Sequence, residues 1–372
     1  MMFKILHIIP NLRKGGAERL VLDICNELNK KENVSVTLIT FSSLNEYQNI
    51  SQNIDWKVIP SNFSPSVIGE SVLNTSKLQE YVTQHKPDII HTHLWEAEIL
   101  CSQIDYGNAK SFTHFHDNML QLKNTIIPLS KKDLTNLYEK KIVTRKYKKR
   151  LSNFICISNN TINFAKKSLP KTFNKRIHLL HNSVNLNHFI PLKRTPSFPI
   201  KLINIGSFVL KKNQKFAVDI LSEIHKVGIN ANITFLGDGD LKESVSNYAM
   251  KLNLSNNVHF KGNVDNVSEH LKNANVYVHT ATWEPFGLVI LEAMASGLPV
   301  VSLDGKGNRD IIQNNINGHI FKKQDPNLFA RTIINLFNDK NKYDTLSKKS
   351  LATAKKFDIE NYCDKLLAIY KL

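Results

Sequence analysis

Short apolar segments alternate with helix-length amphipathic segments along the whole chain, as in βαβ units with a mostly parallel sheet. The first half predicts five strands, at Lys4–Ile9, Ser35–Ile39, Ile89–His91, Lys110–Thr113 and Asn153–Ile157. The second half predicts five more, at Lys201–Ile205, Asn232–Leu236, Val258–Phe260, Val276–His279 and Pro299–Ser302. The pattern therefore predicts an α/β protein with two Rossmann-like domains in series.

The segment 191–199 separates the two halves. It contains three prolines and few residues typical of a core, which indicates an interdomain connector. We expect an N-terminal domain at 1–190 and a C-terminal domain at 200–355. The last segment, 356–372, has apolar residues close to the helical period, and we expect a helix that packs back towards the N-terminal domain.

Composition narrows the class of protein. Apolar residues make up 42% of the 372 residues and charged residues 22%, which is ordinary for a globular enzyme and unlike a disordered chain. The four cysteines are scattered singly, so neither a disulfide framework nor a C-x-x-C zinc motif is expected. No stretch approaches the roughly 20 apolar residues that cross a bilayer. We expect a cytoplasmic protein whose contact with a membrane, if any, is peripheral.

The net charge of +17 is concentrated in the N-terminal half. Between Met119 and Leu180 there are fifteen lysine or arginine residues but only two acids. The plain interpretation is a solvated helix face, and the alternative is a docking surface for anionic lipid at the inner face of the cell membrane. A nucleic-acid-binding protein is less favoured, because no RNP, helix-turn-helix or zinc-finger pattern accompanies the charge.

A short helix is predicted at Leu288–Ser296, between Gly287 and Gly297. The amides of Gly287, Leu288 and Val289 would be unpaired donors at its positive end, which favours a bound phosphate. Glu284 precedes this end and Glu292 lies inside the helix. The two carboxylates could accept hydrogen bonds from a donor sugar and a ribose; alternatively, they stabilise the helix dipole and face solvent.

The strand Lys201–Ile205 leads into a loop that contains Lys211 and Lys212. A diphosphate leaving group needs its charge neutralised as its bond to a sugar breaks, and a lysine can do this without a metal ion. Alternatively, the lysine pair is merely solvated. The aspartates of Asp238-Gly239-Asp240 could bind a divalent cation, but a strand-to-helix turn with Asp240 near the N-cap explains them adequately.

Two His-x-His pairs stand at predicted strand ends, His91 with His93 and His114 with His116. Residues two apart on a strand share a face, so a zinc site is conceivable. We favour no metal, because no cysteine or further ligand cluster accompanies the pairs. Near the N-terminus, the Gly15-Gly16 pair permits close approach of a ligand to the backbone, although glycine pairs are common in turns.

The spacing of Glu284 and Glu292 and the residues between them resemble the E-x7-E region of the retaining glycosyltransferases of the GT-B fold, in particular glycosyltransferase family 4. The resemblance implies two Rossmann-like domains that face each other across a cleft, with the acceptor on the N-terminal domain and a nucleotide sugar on the C-terminal one. It places Glu284 near the donor sugar, Glu292 on the ribose and the amides after Phe286 on the diphosphate.

The resemblance also makes Lys212 the catalytic lysine, with Ser207 standing where the family has arginine. Gly16 belongs to the glycine-rich loop facing the donor, and His116 contacts the transferred sugar. The implied catalytic residues are Glu284, Lys212 and His116. The implied donor-binding residues are Gly16, Ser207, Lys212, Phe286, Gly287, Leu288, Val289 and Glu292.

The expected function is transfer of a sugar, with retention, from a UDP- or GDP-sugar to a glycan or lipid-linked acceptor. The family suggests bacterial surface polysaccharide or lipopolysaccharide synthesis, with no metal or other cofactor and no nucleic-acid partner. The alternative within the same architecture is a nucleotide-sugar epimerase, which needs no acceptor.

Overall fold

The computed structural model describes residues 2–64, 72–124, 130–192 and 196–372. It divides into two compact units. The N-terminal unit comprises Met1–Asn182 and Ile359–Leu372, and the C-terminal unit comprises Ser183–Asp358. This boundary falls before the connector predicted at 191–199, of which 193–195 lie outside the described residues.

Fifteen strands are present in the described residues. In the N-terminal unit they are β1 Phe3–Ile8, β2 Val34–Thr40, β3 Asp55–Val58, β4 Asn62–Ser64, β5 Val72–Asn74, β6 Ile89–His93, β7 Lys110–Phe115, β8 Asn153–Cys156 and β9 Ile177–Leu179. In the C-terminal unit they are β10 Ile200–Ile205, β11 Ala231–Leu236, β12 Val258–Phe260, β13 Val276–His279, β14 Val300–Leu303 and β15 His319–Phe321.

Thirteen α-helices connect or follow these strands in the described residues. The first six are α1 Gly16–Leu28, α2 Gln48–Ser51, α3 Ser76–His85, α4 Leu94–Cys101, α5 Lys131–Arg150 and α6 Asn159–Ser168. The remainder are α7 Gln214–Lys226, α8 Lys242–Lys251, α9 Val267–Lys272, α10 Leu288–Ala295, α11 Pro326–Asn338, α12 Lys340–Ala354 and α13 Ile359–Lys371. No helix of the described residues combines the length and apolarity needed to cross a bilayer.

The main sheet of the N-terminal unit has seven parallel strands in the order β3-β2-β1-β6-β7-β8-β9. On one side of β1 the chain adds β2 and β3, and on the other side of the sheet β6 is followed by β7, β8 and β9. The switch point of the sheet therefore lies between β1 and β6. His7 of β1 is in register with His91 of β6. The short strands β4 and β5 form a separate antiparallel pair.

The sheet of the C-terminal unit has six parallel strands in the order β12-β11-β10-β13-β14-β15. Its switch point lies between β10 and β13. The central strands are buried on both faces, which explains why their sequences are nearly continuous apolar runs. Phe208, Phe235 and Phe329 are among the fully buried side chains of this core.

The α/β class with two parallel sheets is confirmed, and all ten predicted strands are present. Sequence reasoning missed β3, β9 and β15, which are three of the four outer strands of the two main sheets, and the antiparallel pair β4 and β5. The three outer strands are only partly buried, so their sequences lack the apolar run of a central strand. A short strand that is only partly buried therefore gives a weak signal in the pattern of apolar and polar positions.

The C-terminal helix α13 belongs to the N-terminal unit by its contacts. Its buried side chains recur at helical spacing, at Ile359, Tyr362, Cys363, Leu366 and Tyr370. The Asp364 carboxylate pairs with Lys31 just after α1, with 2.7 Å between Oδ1 and Nζ. The Tyr370 hydroxyl lies 2.5 Å from Nδ1 of His91. The helix thus joins the apolar packing of this unit to its central strands.

We expect Leu366→Ala to destabilise the N-terminal unit by about 2–5 kcal/mol, because it opens a cavity at a fully buried position. Leu372→Ala is the matched control, since this leucine of the same segment is 82% exposed, and its effect should stay within about 0.5 kcal/mol. Urea denaturation followed by far-UV circular dichroism measures both. Equal midpoints for the two variants would contradict the assigned packing of α13.

Candidate functional site

A charged cluster lies at the switch point of the C-terminal unit. The loop after β10 carries Lys212, and the loop after β13 carries Glu284. The Lys212 Nζ lies 2.7 Å from Glu284 Oε2, although the two residues are far apart in sequence. They meet because β10 and β13 are adjacent parallel strands whose carboxyl ends reach the same edge of the sheet, the usual position of a ligand in such folds.

Hydrogen bonds between the two loops fix the backbone around Lys212. The Thr280 hydroxyl donates to the Lys212 carbonyl at 2.9 Å, and the Thr282 amide donates to the Lys211 carbonyl at 2.8 Å. Buried Asn204, near the end of β10, donates from Nδ2 to the Val278 carbonyl at 2.7 Å. The two loops therefore form one hydrogen-bonded structure rather than two independent segments.

The backbone of Glu284 is held by the loop that follows β14. Its amide donates to the Gly305 carbonyl at 2.7 Å, and its carbonyl accepts from the Gly307 amide at 2.9 Å. A Cβ atom at Gly305 would lie 2.6 Å from Glu284 Cβ, and one at Gly307 would lie 1.8 Å from the Pro285 carbonyl oxygen. The approach therefore requires glycine at both positions. Buried Asn308 accepts from the Gly305 amide at 2.9 Å and completes the loop.

The Glu284 carboxylate is buried and ionised. Burial alone raises its pKa, but the Lys212 ammonium and then the His279 ring outweigh burial and hold the pKa well below its ordinary value. Nε2 of His279 lies 3.3 Å from Glu284 Oε2, and Nδ1 lies 3.0 Å from the Tyr277 hydroxyl. Burial lowers the pKa of His279 despite the carboxylate. Glu284 is thus suited to accept hydrogen bonds and not to donate a proton at neutral pH.

The helix α10 begins directly beyond this cluster. Gly287 precedes it with φ 107°, a conformation that favours glycine, and the helix runs from Leu288 to Ala295, one residue shorter than predicted. Helix geometry leaves the first amides, including those of Leu288 and Val289, without partners inside the helix. The Phe286 ring is buried 5.8 Å from the Phe357 ring, so this residue offers its backbone rather than its side chain.

Two further predicted residues lie around the cluster. Glu292 is half-buried in α10, and its charge helps to raise the pKa of buried Tyr277, after burial itself and Glu284. Ser207 is exposed in the loop after β10. Buried Gln214 donates from Nε2 to the carbonyls of Gly206 and Ser207, at 3.2 and 3.0 Å, which fixes the course of that loop.

The other predicted residues are in the N-terminal unit. Gly16 is the first residue of α1, and the Gly15 amide before it donates to the Tyr47 hydroxyl at 3.0 Å. His116 follows β7, half-buried, with Nε2 2.9 Å from Nδ1 of His93. The structure thus brings Lys212 and Glu284 into contact, while Gly16 and His116 belong to a different unit.

Two family models match consecutive parts of the chain. Residues 14–188 match the model described as Glycosyltransferase Family 4, and residues 192–352 match the model described as Glycosyl transferases group 1. The chain is a glycosyltransferase of the family 4 type, with the GT-B fold. The division between the two matches agrees with the division of the polypeptide into two parallel sheets.

Curated relatives of this glycosyltransferase are distant. An uncharacterized glycosyltransferase of Methanocaldococcus jannaschii is 24% identical over 95% of this chain and 94% of its own length. A second one from that organism is 27% identical over 65% of this chain and 62% of its own. The lipopolysaccharide core biosynthesis glycosyltransferase LpsE of Rhizobium meliloti is 28% identical over 52% and 58%. The match thus spans less than two thirds of the last two relatives.

Among solved structures, that of Anabaena Alr3699/HepE in complex with UDP and glucose superimposes with a TM-score of 0.77 over 98% of both chains. Because the sequence identity is 18%, this similarity is evidence for the fold only.

Sequence reasoning missed several residues that shape this glycosyltransferase's cluster. His279 and Tyr277 were assigned only to a strand, and Gly305, Gly307 and Asn308 received no role. A glycine pair directly after a central strand was the available signal, because it indicates close approach of backbone to a neighbour. The strand-to-helix turn expected around Asp240 is present: Asp240 directly precedes Leu241, the N-cap of α8, and Asp238 accepts from the Gly239 amide at 2.8 Å.

We expect Lys212→Met to destabilise the C-terminal unit by about 1–3 kcal/mol at pH 7, because Glu284 stays buried without its cation. The double variant with Glu284→Gln should regain part of this loss. The folded pKa of Glu284 is depressed, so its stabilisation is present above the ordinary value of 4.5 and is lost as the pH falls below it. Denaturation measured between roughly pH 3 and pH 8 should show that the free energy of unfolding of Lys212→Met decreases less at acid pH than that of the wild type.

The matched control is Lys226→Met, which removes an exposed helical pair with Glu223 and should cost less than about 0.5 kcal/mol. Similar losses in both lysine variants would show that the Lys212 and Glu284 pair is not a significant buried interaction.

Proposed function

We propose that this glycosyltransferase moves a sugar from a UDP- or GDP-sugar to a glycan or lipid-linked acceptor, with retention and without a divalent cation at the diphosphate. The observation that carries the proposal is the contact of Lys212 with Glu284 beside the first turn of α10. It brings an ammonium group and an ionised carboxylate together at the switch point of one sheet, four residues before α10 begins.

The diphosphate of the donor fits the amino end of α10. The amides of Gly287, Leu288 and Val289 and the positive end of the helix dipole favour a phosphate there. The Lys212 ammonium would stabilise the charge that develops on the leaving diphosphate, which is electrostatic stabilisation without a metal ion. Ser207 stands in the loop after β10 where the family has arginine, so in this proposal the cation comes from Lys212, either alone or together with Lys211 beside it.

The carboxylates would orient the sugars of the donor. Because its pKa is depressed, Glu284 stays ionised and accepts hydrogen bonds from hydroxyl groups of the transferred sugar. Glu292, farther along α10, would accept hydrogen bonds from the ribose. In the N-terminal unit, His116 would contact the transferred sugar and Gly16 would let the backbone approach the donor. Phe286 contributes through its backbone, since its ring is buried.

The acceptor assignment is supported by one relative and by the family resemblance. LpsE, named for lipopolysaccharide core biosynthesis, is similar to about half of this chain. We therefore propose a role in the synthesis of a bacterial surface polysaccharide or lipopolysaccharide, at the cytoplasmic side of the membrane. An acceptor of this kind presents hydroxyl groups, and transfer forms one glycosidic bond as the bond to the diphosphate breaks.

The donor can be identified by thermal shift with UDP, GDP, ADP and their common sugars. Transfer can then be measured with the donor that stabilises the protein and a panel of glycan and lipid-linked acceptors. We expect Lys212→Ala and Glu284→Ala each to lower kcat/KM by about 10²–10³-fold, as loss of a group that stabilises developing charge does. Addition of Mg²⁺ or Mn²⁺ should leave the rate of transfer unchanged, because no divalent cation is needed at the diphosphate.

The controls are Lys226→Ala and Glu269→Ala, which alter exposed pairs on other surfaces of the same unit and should keep near-normal turnover. Near-normal turnover of Lys212→Ala and Glu284→Ala, with both variants folded by circular dichroism, would refute the assignment. Conversion of the nucleotide sugar without any acceptor would instead identify an epimerase.

We also propose that the basic segment of the N-terminal unit docks on anionic membrane. The helix α5 exposes cations along its length, and exposed lysines continue in α6 and after it. The exposed basic residues are Lys131, Lys132, Lys141, Arg145, Lys148, Lys149, Lys166, Lys167, Lys171 and Lys175. Exposed Leu134 and Leu151 lie beside these charges. Attraction of lysine or arginine to anionic lipid is worth about 1 kcal/mol per residue near the surface.

The charge-reversed variant Lys141→Glu, Arg145→Glu and Lys148→Glu tests this proposal, since these positions share one face of α5. We expect wild-type protein to sediment with phosphatidylglycerol vesicles at low salt and the variant to remain in the supernatant. Reversal of exposed Lys340, Lys348 and Lys349 in α12 changes the net charge equally and should leave sedimentation unchanged. Equal binding by both variants would show that α5 is only a solvated face.

A further inference from the structure

Five histidines gather at the switch point of the N-terminal unit. In the sheet, His7 of β1 is in register with His91 of β6, and His93 is in register with His114 of β7. Residues two apart on a strand share a face, and neighbouring strands are about 4.8 Å apart. The four rings therefore line one face of the sheet, and His116 lies just beyond β7.

The histidine cluster, His7, His91, His93, His114 and His116, is tightly packed and largely sealed from solvent. The first four rings are fully buried and His116 is half-buried. Ring centroids within the cluster approach to 4.4 Å between His91 and His93 and to 4.1 Å between His114 and His116. Nδ1 of His7 lies 2.8 Å from Nε2 of His93.

The cluster has more polar nitrogens than the protein satisfies. Among the described residues, no hydrogen-bond partner is found for Nε2 of His7, Nε2 of His91 or either ring nitrogen of His114. An unpaired buried polar group costs about 1–3 kcal/mol. A neutral imidazole carries a lone pair on one ring nitrogen, so a metal ion in the cluster would give buried nitrogens of this kind a partner.

We propose that His7, His91 and His93 bind one divalent transition-metal ion, with Zn²⁺ as the best match. Each ring offers one nitrogen, and the three nitrogens lie within 4.8 Å of one another. Zinc bonds to histidine nitrogen are about 2.0–2.1 Å long, and tetrahedral geometry then separates the nitrogens by about 3.3 Å. With Nδ1 of His7 and Nε2 of His93 as ligand atoms, their 2.8 Å contact must widen by about half an ångström, and water is the fourth ligand.

Two of the three ligands already have the partner that a metal-bound imidazole needs on its far nitrogen. The Tyr370 hydroxyl lies 2.5 Å from Nδ1 of His91, and His116 lies 2.9 Å from Nδ1 of His93. Such outer contacts set the tautomer and orientation of a ligand ring. A second trio, His93, His114 and His116, also has nitrogens close enough to share a metal ion. In that trio, no hydrogen-bond partner is found among the described residues for either ring nitrogen of His114. The first trio is therefore the better site.

A metal on Nε2 of His93 would leave its Nδ1 protonated. That group would donate to Nε2 of His116, so His116 would present its own N–H at Nδ1. Occupancy would thus set the tautomer of a residue proposed to contact the sugar, and this consequence alone rests on the proposed function. The site is in the N-terminal unit and is separate from the diphosphate site proposed in the C-terminal unit, which needs no metal ion.

The test uses full-length protein without a histidine tag, stripped with a chelator and checked by circular dichroism. Titration calorimetry with Zn²⁺ should show one ion per chain. Co²⁺ should give the intense visible bands of a tetrahedral site, and one equivalent of Zn²⁺ should remove them. His7→Gln and His91→Gln should each weaken Zn²⁺ binding by at least about 10–100-fold.

Tyr370→Phe keeps all three ligands and should weaken Zn²⁺ binding by about 10-fold through its contact with His91. Tyr370→Phe therefore tests the site even if the variants of the ligand histidines fail to fold. His259→Gln, at an exposed position of the other unit, should bind as wild type does. Lys212→Ala should also bind normally, which separates this result from the fate of the proposed transfer reaction.

Folded wild-type protein that takes up no stoichiometric Zn²⁺, or that holds Co²⁺ only in a weakly absorbing octahedral form, would overturn the proposal. Equal binding by wild type, His7→Gln and His91→Gln would overturn it as well, because the metal would then lie elsewhere.

Discussion

Both units depend on the same constraint, which is the pairing of two adjacent parallel strands whose connections lead away in opposite directions. Such strands leave a crevice at their carboxyl ends that no crossover helix fills. In the C-terminal unit, β10 and β13 bring Lys212 and Glu284 to 2.7 Å. In the N-terminal unit, β1 and β6 place His7 in register with His91. Residues that are distant in sequence become partners because the strand order makes them neighbours.

The two crevices contain different kinds of polar groups. In the C-terminal unit the central groups are charged, and each charge is balanced: the Lys212 ammonium offsets the cost of burying Glu284. The loop after β14 adds backbone hydrogen bonds that hold the carboxylate in place. A bound diphosphate would compete for the same ammonium group. This arrangement keeps the site stable without ligand, and in the proposed reaction the same cation would be available to the leaving group.

In the N-terminal unit the central groups are imidazoles that stack on one another and are largely buried. Their partners come from a distant part of the chain, because Tyr370 of α13 reaches His91. The N-terminal unit is therefore complete only after the polypeptide has passed through the C-terminal unit and returned. Packing of Leu366 and its neighbours fixes α13 and, through it, the orientation of the His91 ring.

The sequence by itself determined the elements and the chemistry of local motifs. Continuous apolar runs marked the central strands, and Gly287 marked the start of α10, because these signals depend on residues close together in the chain. Only the tertiary structure decided which motifs meet. Nothing local to Lys212 specifies Glu284 as its partner, and His7 had no visible connection to the His-x-His pairs. Strand order sets those distances, and it follows from the packing of the whole sheet, which no short stretch of sequence contains.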